Sequence, residues 1–282
     1  MSIQKIARLA GVSVATVSRV LNNSDTVKPK NRERVLQAIK ESNYQPNLLA
    51  RQLRTARSYM ILVMVSNIAN PFCAEVVKGI EEEAEKHGYR ILLCNSGSDL
   101  ARSTSGLRLL SGKVVDGIIT MNALSSLPEL TMMIGDAPWV QCAEYADAGS
   151  ISCVGINDID AAQGAVSRLA ESGHRRIALI NHDLSYRYAR LRERGYKNVL
   201  HVRELAWQQV AYASDLSAAA GKAAMETLLA SRERPDAVFA VADSLAAGAL
   251  RAIAQAGLRV PDDIAVMGFC LLYTSPSPRD CS

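Results

Sequence analysis

The sequence lacks the marks of a membrane-bound or exported protein. No apolar run in its 282 residues reaches the roughly 20 residues that a membrane-spanning helix requires. Residues 1–5 are not followed by the apolar core of a signal peptide, which predicts a location in the cytosol of the producing cell. With 49% hydrophobic and 21% charged residues, the composition is that of a globular chain and not of a disordered one.

The sequence also lacks a cysteine or histidine pattern of the kind that binds metal. Cys73, Cys94, Cys142 and Cys153 are scattered through apolar segments, and none is spaced as in a zinc site or a redox pair. We interpret them as small buried hydrophobic residues. We therefore expect neither a metal ion nor a cofactor.

Catalytic motifs are missing in the same way. There is no phosphate-binding glycine loop followed by Lys and Ser or Thr, and no G-x-S-x-G nucleophile turn. The four histidines are dispersed along the chain. We therefore do not expect an enzyme.

Positive charge is concentrated at the amino-terminal end. Residues 1–58 contain eleven Lys and Arg residues and three acidic residues, a net charge of +8; because the whole chain carries +4, the remainder carries −4. A basic head on an acidic body is typical of a protein whose head binds a polyanion. A merely solvated basic face would have the same composition.

The first 22 residues predict two short helices around a tight turn. Ile6 and Leu9, three residues apart, predict an apolar stripe on a first helix. Gly11 can adopt the left-handed conformation that ends it. Ser13 is a favourable N-cap for a second helix that runs from residue 14 to about residue 22.

The spacing of apolar residues predicts which face of each helix is buried. In the second helix Val17, Val20 and Leu21 should point inward. A third helix, over about residues 31–42, should bury Val35, Leu36 and Ile39 against the first two. The face of the second helix that remains outside is formed by Val14, Ala15, Ser18, Arg19 and Asn22.

This arrangement is the geometry of a helix-turn-helix, in which the second helix enters the DNA major groove. Small side chains let the helix approach the base edges, and the Arg19 guanidinium suits guanine or phosphate. The candidate DNA contacts in this helix are Ser13, Val14, Ala15, Thr16, Ser18, Arg19 and Asn22.

Two runs, residues 3–22 and residues 32–47, resemble the DNA-binding head of the LacI/GalR (lactose-repressor type) family without a gap. The resemblance implies a sequence-specific transcription regulator, most often a repressor, that acts as a homodimer or possibly a tetramer on double-stranded operator DNA. It also implies a bacterial, nucleoid-associated protein.

Residues 47–58 form the predicted linker between head and body. Asn47 is a favourable cap and good helix formers follow it, but the segment is too short to be a stable helix alone. The family resemblance implies that it folds on DNA and inserts Leu53 into the minor groove, with Ala50 allowing close approach and Arg51 near the backbone. The alternative is that Leu53 is an ordinary apolar residue of a structured linker.

From residue 59 onward, apolar runs alternate with amphipathic stretches. Strand–helix alternation predicts parallel doubly wound sheets, here two of them, with a ligand in the cleft between two lobes. The predicted strands cover residues 61–65, 90–94, 115–120, 139–143, 176–180, 237–241 and 264–268. The predicted helices cover residues 74–87, 104–112, 161–171, 192–200, 218–230 and 244–256.

Four segments of the body (residues 70–81, 171–177, 189–196 and 257–269) resemble the sensor domain of the same family and the periplasmic sugar-binding proteins. The predicted fold class is thus an all-α helix-turn-helix head with an α/β, two-lobed body like that of the periplasmic binding proteins. The resemblance implies an effector, a sugar or nucleoside-like molecule, between the lobes.

Three residues are candidate effector contacts. By resemblance, Arg192 matches the arginine that holds the effector, although its residue context alone favours a surface charge. Phe72 could stack on a ligand or simply pack. Asp243 opens a helix after a strand, so it could bind a ligand or act only as an N-cap.

The sequence departs from the family pattern at three places. Ala242 stands where the family often has Asn, which disfavours a standard hexose effector. Asn157-Asp158 stands where the family often has Asp-Asn. Residues 270–282 look like a translated sequencing adapter, with a genuine disordered tail as the alternative. On the adapter interpretation the second lobe is incomplete and the chain folds poorly as it stands.

The predicted organisation has five parts. They are a head (1–46), a linker (47–58), a first lobe (59–157), a second lobe (158–269) and a non-native tail (270–282). The leading hypothesis is an effector-controlled transcription regulator. The alternatives are a stand-alone small-molecule binding protein of the periplasmic class and an enzyme on the same fold.

Overall fold

The computed structural model describes residues 2–21, 26–44, 52, 57–97, 99–122, 127–145 and 151–269. The chain divides into two compact units, Met1–Ser58 and Tyr59–Ser282. Several predictions lie outside the described residues: the DNA contacts of Asn22, Ala50, Arg51 and Leu53, and the interpretation of residues 270–282.

The amino-terminal unit contains three helices, α1 (Ile3–Ala10), α2 (Val14–Leu21) and α3 (Pro29–Ser42). Gly11 ends α1 in the left-handed conformation (φ 60°), and its N–H donates to the carbonyls of Ala7 and Arg8. The Ser13 hydroxyl accepts a hydrogen bond from Thr16 N (3.2 Å), as expected of an N-cap. The predicted helix-turn-helix is therefore present.

Two predictions about the core of this unit are wrong. Leu9 is 59% exposed and Leu36 is 52% exposed, although the sequence pattern predicts that both are buried. At about 100° per residue, Leu9 lies on the opposite side of Ile6 from Ala7 and Ala10, the residues that are buried. In α3 the core takes Ala38 beside Val35 instead of Leu36.

Strands β1 to β5 form one parallel sheet with the order β2-β1-β3-β4-β5. The strands are β1 (Met60–Val65), β2 (Arg90–Asn95), β3 (Gly117–Thr120), β4 (Trp139–Cys142) and β5 (Ser152–Val154). The helices of this first lobe are α4 (Pro71–Lys86), α5 (Leu100–Ser111) and α6 (Leu127–Ile134).

Strand β1 is buried on both faces, which explains its nearly continuous apolar sequence. Leu62 and Met64 pack into one core with Leu107 of α5, whereas Val63 and Val65 pack into another with Val77 of α4. Helices thus cover both sides of the sheet, as strand–helix alternation predicts.

The second lobe repeats the pattern with a parallel sheet of order β7-β6-β8-β9. Its strands are β6 (Ile177–Asn181), β7 (Gln209–Tyr212), β8 (Ala237–Ala240) and β9 (Ala265–Met267). Its helices are α7 (Asp158–Glu171), α8 (Arg187–Val202), α9 (Ala218–Leu229) and α10 (Asp243–Gln255). The predicted fold class is confirmed.

Three elements, α6, β5 and β7, are absent from the sequence-based prediction. β5 has three residues, all exposed, so it shows no apolar alternation to detect. Helix α8 begins at Arg187, five residues before the predicted start at residue 192. That earlier start places Tyr188 on the same helix as Arg192.

Each lobe holds its first strand against its third with one aspartate. In the first lobe Asp116 Oδ2 accepts a hydrogen bond from Tyr59 N (2.9 Å), just before β1. In the second, the carboxylate of Asp236 accepts hydrogen bonds from Arg175 N (3.1 Å) and Arg176 N (3.0 Å), just before β6. These contacts join the amino ends of the paired strands, and because the pairing is parallel the carboxyl ends lie together at the other edge of each sheet.

Within the described part of the chain, no helix combines the length and apolar character needed to cross a membrane. The same residues contain no group of three or more His, Cys, Asp or Glu side chains arranged to hold a metal ion.

The close packing of α9 against α10 generates a prediction. A Cβ added to Gly248 would overlap the carbonyl oxygen of Ala218, whereas one added to Gly164, in α7 of the same lobe, would meet nothing within 4 Å. Gly248→Ala should therefore lower the free energy of unfolding by about 1–3 kcal/mol through overpacking. Gly164→Ala should raise it by about 0.5–1 kcal/mol through helix propensity.

Calorimetric unfolding of the two variants and the parent chain measures both changes. An unchanged melting temperature for Gly248→Ala would show that the two helices separate easily, which would contradict the close packing of α9 against α10.

Candidate nucleic-acid face and effector cleft

The outward face of α2 carries the small residues that were predicted there. Val14, Ala15 and Arg19 are exposed, and Ser18 is half-buried, while Val17 and Val20 are buried in the core of the unit. Apart from the flexible Arg19, the side chains described on this face are small and would not keep the helix from entering a groove.

Ser13 and Thr16 have an additional role at the start of α2. Their hydroxyl oxygens are 2.9 Å apart, and Ser13 also caps the helix, so both side chains are already oriented by the turn. The amino end of a helix carries partial positive charge and favours phosphate. Ser13 is exposed and Thr16 half-buried, which leaves this end of the helix accessible.

Two residues that sequence reasoning missed belong to the same face. Gln4 and Arg8 of α1 line a shallow depression together with residues 11–14. The available signal was that Gln4 and Arg8 lie four residues apart in α1, which places them together on the face opposite Ile6. An exposed Arg and amide beside the start of α2 are suited to phosphate contacts.

In the body, Phe72, Arg192 and Asp243 line one pocket. Their chain positions are far apart, and the pocket lies where strands of the two sheets end. Phe72 lies in the first turn of α4, whose N-cap Asn70 accepts a hydrogen bond from Phe72 N (3.0 Å). The pocket is completed by Asn70, Tyr188, Leu216, Val241, Ala242, Ser244 and Phe269.

Arg192 is buried, with 8% of its surface exposed, so its interpretation as a surface charge is wrong. Its Nε donates to Asp158 Oδ1 (2.8 Å) and its Nη1 to the carbonyl oxygen of Val241 (2.6 Å). The guanidinium carbon lies 3.7 Å from the ring centroid of Phe269 and 5.0 Å from that of Tyr188. Two of its three nitrogens thus bind the protein, and Nη2 donates to none of the groups that the structure describes.

Asp158 is a site residue that sequence reasoning did not identify. It follows Asn157, the N-cap of α7, and its carboxylate is buried against Arg192. The departure at residues 157–158 was the available signal, because it places an acidic residue at the first position of α7. Its negative charge holds the fork of Arg192 in a single orientation.

Tyr188 lines the pocket, and sequence reasoning missed it as well. Its hydroxyl lies 2.6 Å from His182 Nδ1, and the His182 ring stacks on Tyr186 at 4.7 Å. Burial raises the pKa of Tyr188 and lowers the pKa of His182, so both groups favour their neutral forms. This cluster fixes the ring of Tyr188 at the wall of the pocket.

Asp243 does not cap α10. The N-cap is Ala242, which offers no side-chain hydrogen bond, and Asp243 is the first helical residue. The interpretation of Asp243 as only an N-cap is therefore wrong. Its amide N–H donates to the carbonyl of Phe269 (3.1 Å), and its carboxylate occupies the space that a Cβ at Gly268 would take.

Chemically, the pocket combines a buried cation, one carboxylate and three aromatic rings. Such a site can hold hydroxyl groups through the charged side chains and an apolar face through Phe72, Tyr188 and Phe269. It offers no general base paired with a nucleophile among these lining residues.

Comparisons with known proteins match both parts of the chain to family models. Residues 2–47 match the family model described as bacterial regulatory proteins, lacI family. Residues 58–277 match the model described as periplasmic binding proteins and sugar binding domain of LacI family.

Individual relatives extend over most of the chain. The ribose operon repressor of Escherichia coli is 34% identical over 271 residues, which cover 95% of this chain and 82% of that protein. The crystal structure of the lac repressor dimer bound to operator and the anti-inducer ONPF is 30% identical, covers 95% of this chain and 82% of its own, and has a TM-score of 0.82. An uncharacterized protein from Actinobacillus succinogenes is 58% identical, with 75% of this chain and 79% of that one covered and a TM-score of 0.72.

Burial distinguishes two arginine–carboxylate pairs of the second lobe. Arg192–Asp158 (2.8 Å) has side chains 10% and 4% exposed, whereas Arg203–Glu171 (2.7 Å) has side chains 42% and 53% exposed. Asp158→Ala leaves a buried guanidinium unpaired and should lower the free energy of unfolding by about 3–5 kcal/mol. Glu171→Ala should lower it by no more than about 1 kcal/mol.

Denaturant unfolding of the two variants measures this difference. Equal destabilisation would contradict the view that Asp158 neutralises a buried charge.

Proposed function

The chain belongs to the LacI family of bacterial regulatory proteins, and we propose that it is a sequence-specific transcription repressor whose affinity for operator DNA is set by a small molecule held between the two lobes of the body. The observation that carries this proposal is the pairing of two sites in one chain. One is an exposed small-residue helix on a basic unit, and the other is a pocket around a buried arginine.

The DNA contacts follow from α2. Arg19 is exposed beside Val14 and Ala15, so its guanidinium can reach base edges once the helix lies in the major groove. The Ser13 end of the helix, with Gln4 and Arg8 beside it, supplies phosphate contacts that set the register.

The remaining assignments complete the proposal. Residues 1–46 are the head, 47–58 the linker, 59–157 the first lobe and 158–269 the second. Ala50, Arg51 and Leu53 of the linker meet the minor groove, with Leu53 as the wedge, and a homodimer places two heads on paired half-sites. The relative bound to operator DNA is a dimer, which supports this arrangement.

The proposed effector is a sugar or nucleoside-like molecule. Arg192 and Asp243 suit its hydroxyl groups, and the aromatic rings suit an apolar face of the same molecule. The name of the ribose operon repressor makes pentoses the first compounds to test. A stand-alone sugar-binding protein, the alternative, does not account for residues 2–47, which match a DNA-binding family model.

Substituting Arg19 tests the DNA face. Arg19→Ala should weaken binding to a site recovered by in vitro selection from random duplexes by about 1–3 kcal/mol, because a guanidinium–base contact is lost. Arg251→Ala removes an equal charge from an exposed position of α10 and should leave affinity unchanged. Fluorescence anisotropy at fixed salt measures both; equal affinities for the two variants would exclude Arg19 from base recognition.

Substituting Arg192 by lysine tests the effector site. Lysine retains a positive charge for Asp158 but lacks the planar fork, so the effector concentration for half-maximal change in DNA affinity should rise by about tenfold or more. Arg194→Lys, at an exposed position of the same helix, is the matched control.

The response is measured with D-ribose, other pentoses, hexoses and nucleosides added to the anisotropy assay. Because the coupling of two ligands is reciprocal, an effector must bind the DNA-free and DNA-bound states unequally. If no compound of this panel changes DNA affinity, the proposed effector class is wrong; an identical response of Arg192→Lys and the parent would remove Arg192 from the site.

A further inference from the structure

Helix α8, which carries both Tyr188 and Arg192, has no cap of its own. Its N-cap residue is Tyr186, which makes no side-chain cap hydrogen bond, and its first turn contains no acidic residue. The first N–H groups of a helix have no acceptor within the helix, so they need one from elsewhere.

The acceptor comes from the other lobe. Glu144, which follows β4 of the first lobe, accepts a hydrogen bond on Oε1 from Arg187 N (2.6 Å) and one on Oε2 from Tyr188 N (3.2 Å). Both oxygens of one carboxylate are thus used to cap α8 of the second lobe, 43 and 44 residues further along the chain. A negative charge at this end of a helix is also favoured by the helix dipole.

The backbone before Glu144 is shaped for this contact. Ala143 adopts the left-handed conformation (φ 66°), which is unfavourable for a residue with a side chain. Two hydrogen bonds hold the turn, from Ala143 N to the Val154 carbonyl (2.8 Å) and from Glu144 N to the Cys142 carbonyl (2.8 Å). Strain of this kind persists where surrounding structure requires it, and here it turns Glu144 toward α8.

Glu144 is buried where the two lobes meet, and its hydrogen bonds to α8 require both lobes to be in contact. Burial raises the pKa of the Glu144 carboxyl and the negative charge of Asp158 adds to the rise, whereas the two backbone N–H groups and Arg187 lower it. The Arg187 guanidinium also lies 4.2 Å from the ring centroid of Tyr145, the next residue of the first lobe. If the lobes separate, the hydrogen bonds between the Glu144 carboxylate and the first turn of α8 are broken, and both groups become exposed to water.

We propose that Glu144 is an interlobe cap, a positioning residue that orders the first turn of α8, and with it Tyr188 and Arg192, only when the lobes are closed. Lobe closure then brings the first-lobe side of the pocket against Tyr188 and Arg192. Glu144 acts on these residues through α8 and does not itself line the pocket. The consequence for effector binding rests on the proposed function; the cap itself does not.

Amide hydrogen exchange of Arg187 and Tyr188 in the full chain, without DNA or effector, measures the cap directly. These two amides donate to Glu144, so their protection reports the interlobe contact. Glu144→Met keeps the volume and removes the acceptor, so both amides should exchange at least about tenfold faster. Glu144→Gln keeps one carbonyl oxygen and should preserve part of the protection.

The matched control is an aspartate that caps a helix within one lobe. Asp99 accepts hydrogen bonds from Ala101 N (2.8 Å) and Arg102 N (3.2 Å) at the start of α5, all in the first lobe. Asp99→Ala should speed exchange of those two amides and leave Arg187 and Tyr188 unchanged.

Two outcomes would overturn the proposal. One is parental protection of Arg187 and Tyr188 in Glu144→Met. The other is that Arg187 and Tyr188 are equally protected in Glu144→Gln and Glu144→Met while amides throughout the second lobe exchange faster. That result would show that Glu144 contributes only to packing. Neither outcome bears on DNA binding, so failure of the cap and failure of the proposed function remain distinguishable.

Discussion

The burial of one guanidinium determines the geometry of the body's pocket. Removing the charge of Arg192 from water is strongly unfavourable unless it is paired and hydrogen-bonded. Asp158 from the start of α7 and the carbonyl of Val241 after β8 provide those partners, and the rings of Tyr188 and Phe269 flank the guanidinium. Three separate elements of the second lobe therefore converge on one side chain, and the pocket forms around it.

The same principle, that a polar group must find a partner before it is buried, explains the junction of the lobes. The first turn of α8 needs acceptors, and the buried carboxylate of Glu144 needs donors. The N–H groups of the first turn of α8 donate to the Glu144 carboxylate across the cleft, so both sets of groups are hydrogen-bonded. The helix that presents Arg192 to the pocket is thus completed by a residue of the opposite lobe, which couples the order of its first turn to the relation between the two sheets.

The amino-terminal unit is organised by backbone geometry and not by a buried charge. Gly11 turns the chain in a conformation that costs other residues energy, and Ser13 caps the next helix immediately afterwards. This short connection holds α1 and α2 at a fixed angle, with the small residues Val14 and Ala15 outward. The small size of Val14 and Ala15, together with the +8 charge of residues 1–58, makes the unit suited to a polyanion.

Local sequence determined much of this protein: the glycine turn and serine cap of the head, the apolar strands, the strand–helix alternation, and the motifs that show its family. It could not decide which of two neighbouring apolar residues is buried, as Leu9 and Leu36 show, because burial depends on where partner helices lie. Arg192 drew attention only through resemblance, since its context of exposed arginines favours a surface charge. Asp158, Tyr188 and Glu144 were not identified, because their partners lie 34, 6 and 43 residues away and are brought together by side-chain and helix-end contacts that carry no period in the sequence. The periodicity of apolar residues indicates the average environment of one segment. Which group pairs with a buried charge, or caps the end of a helix, is decided only when separate segments pack together.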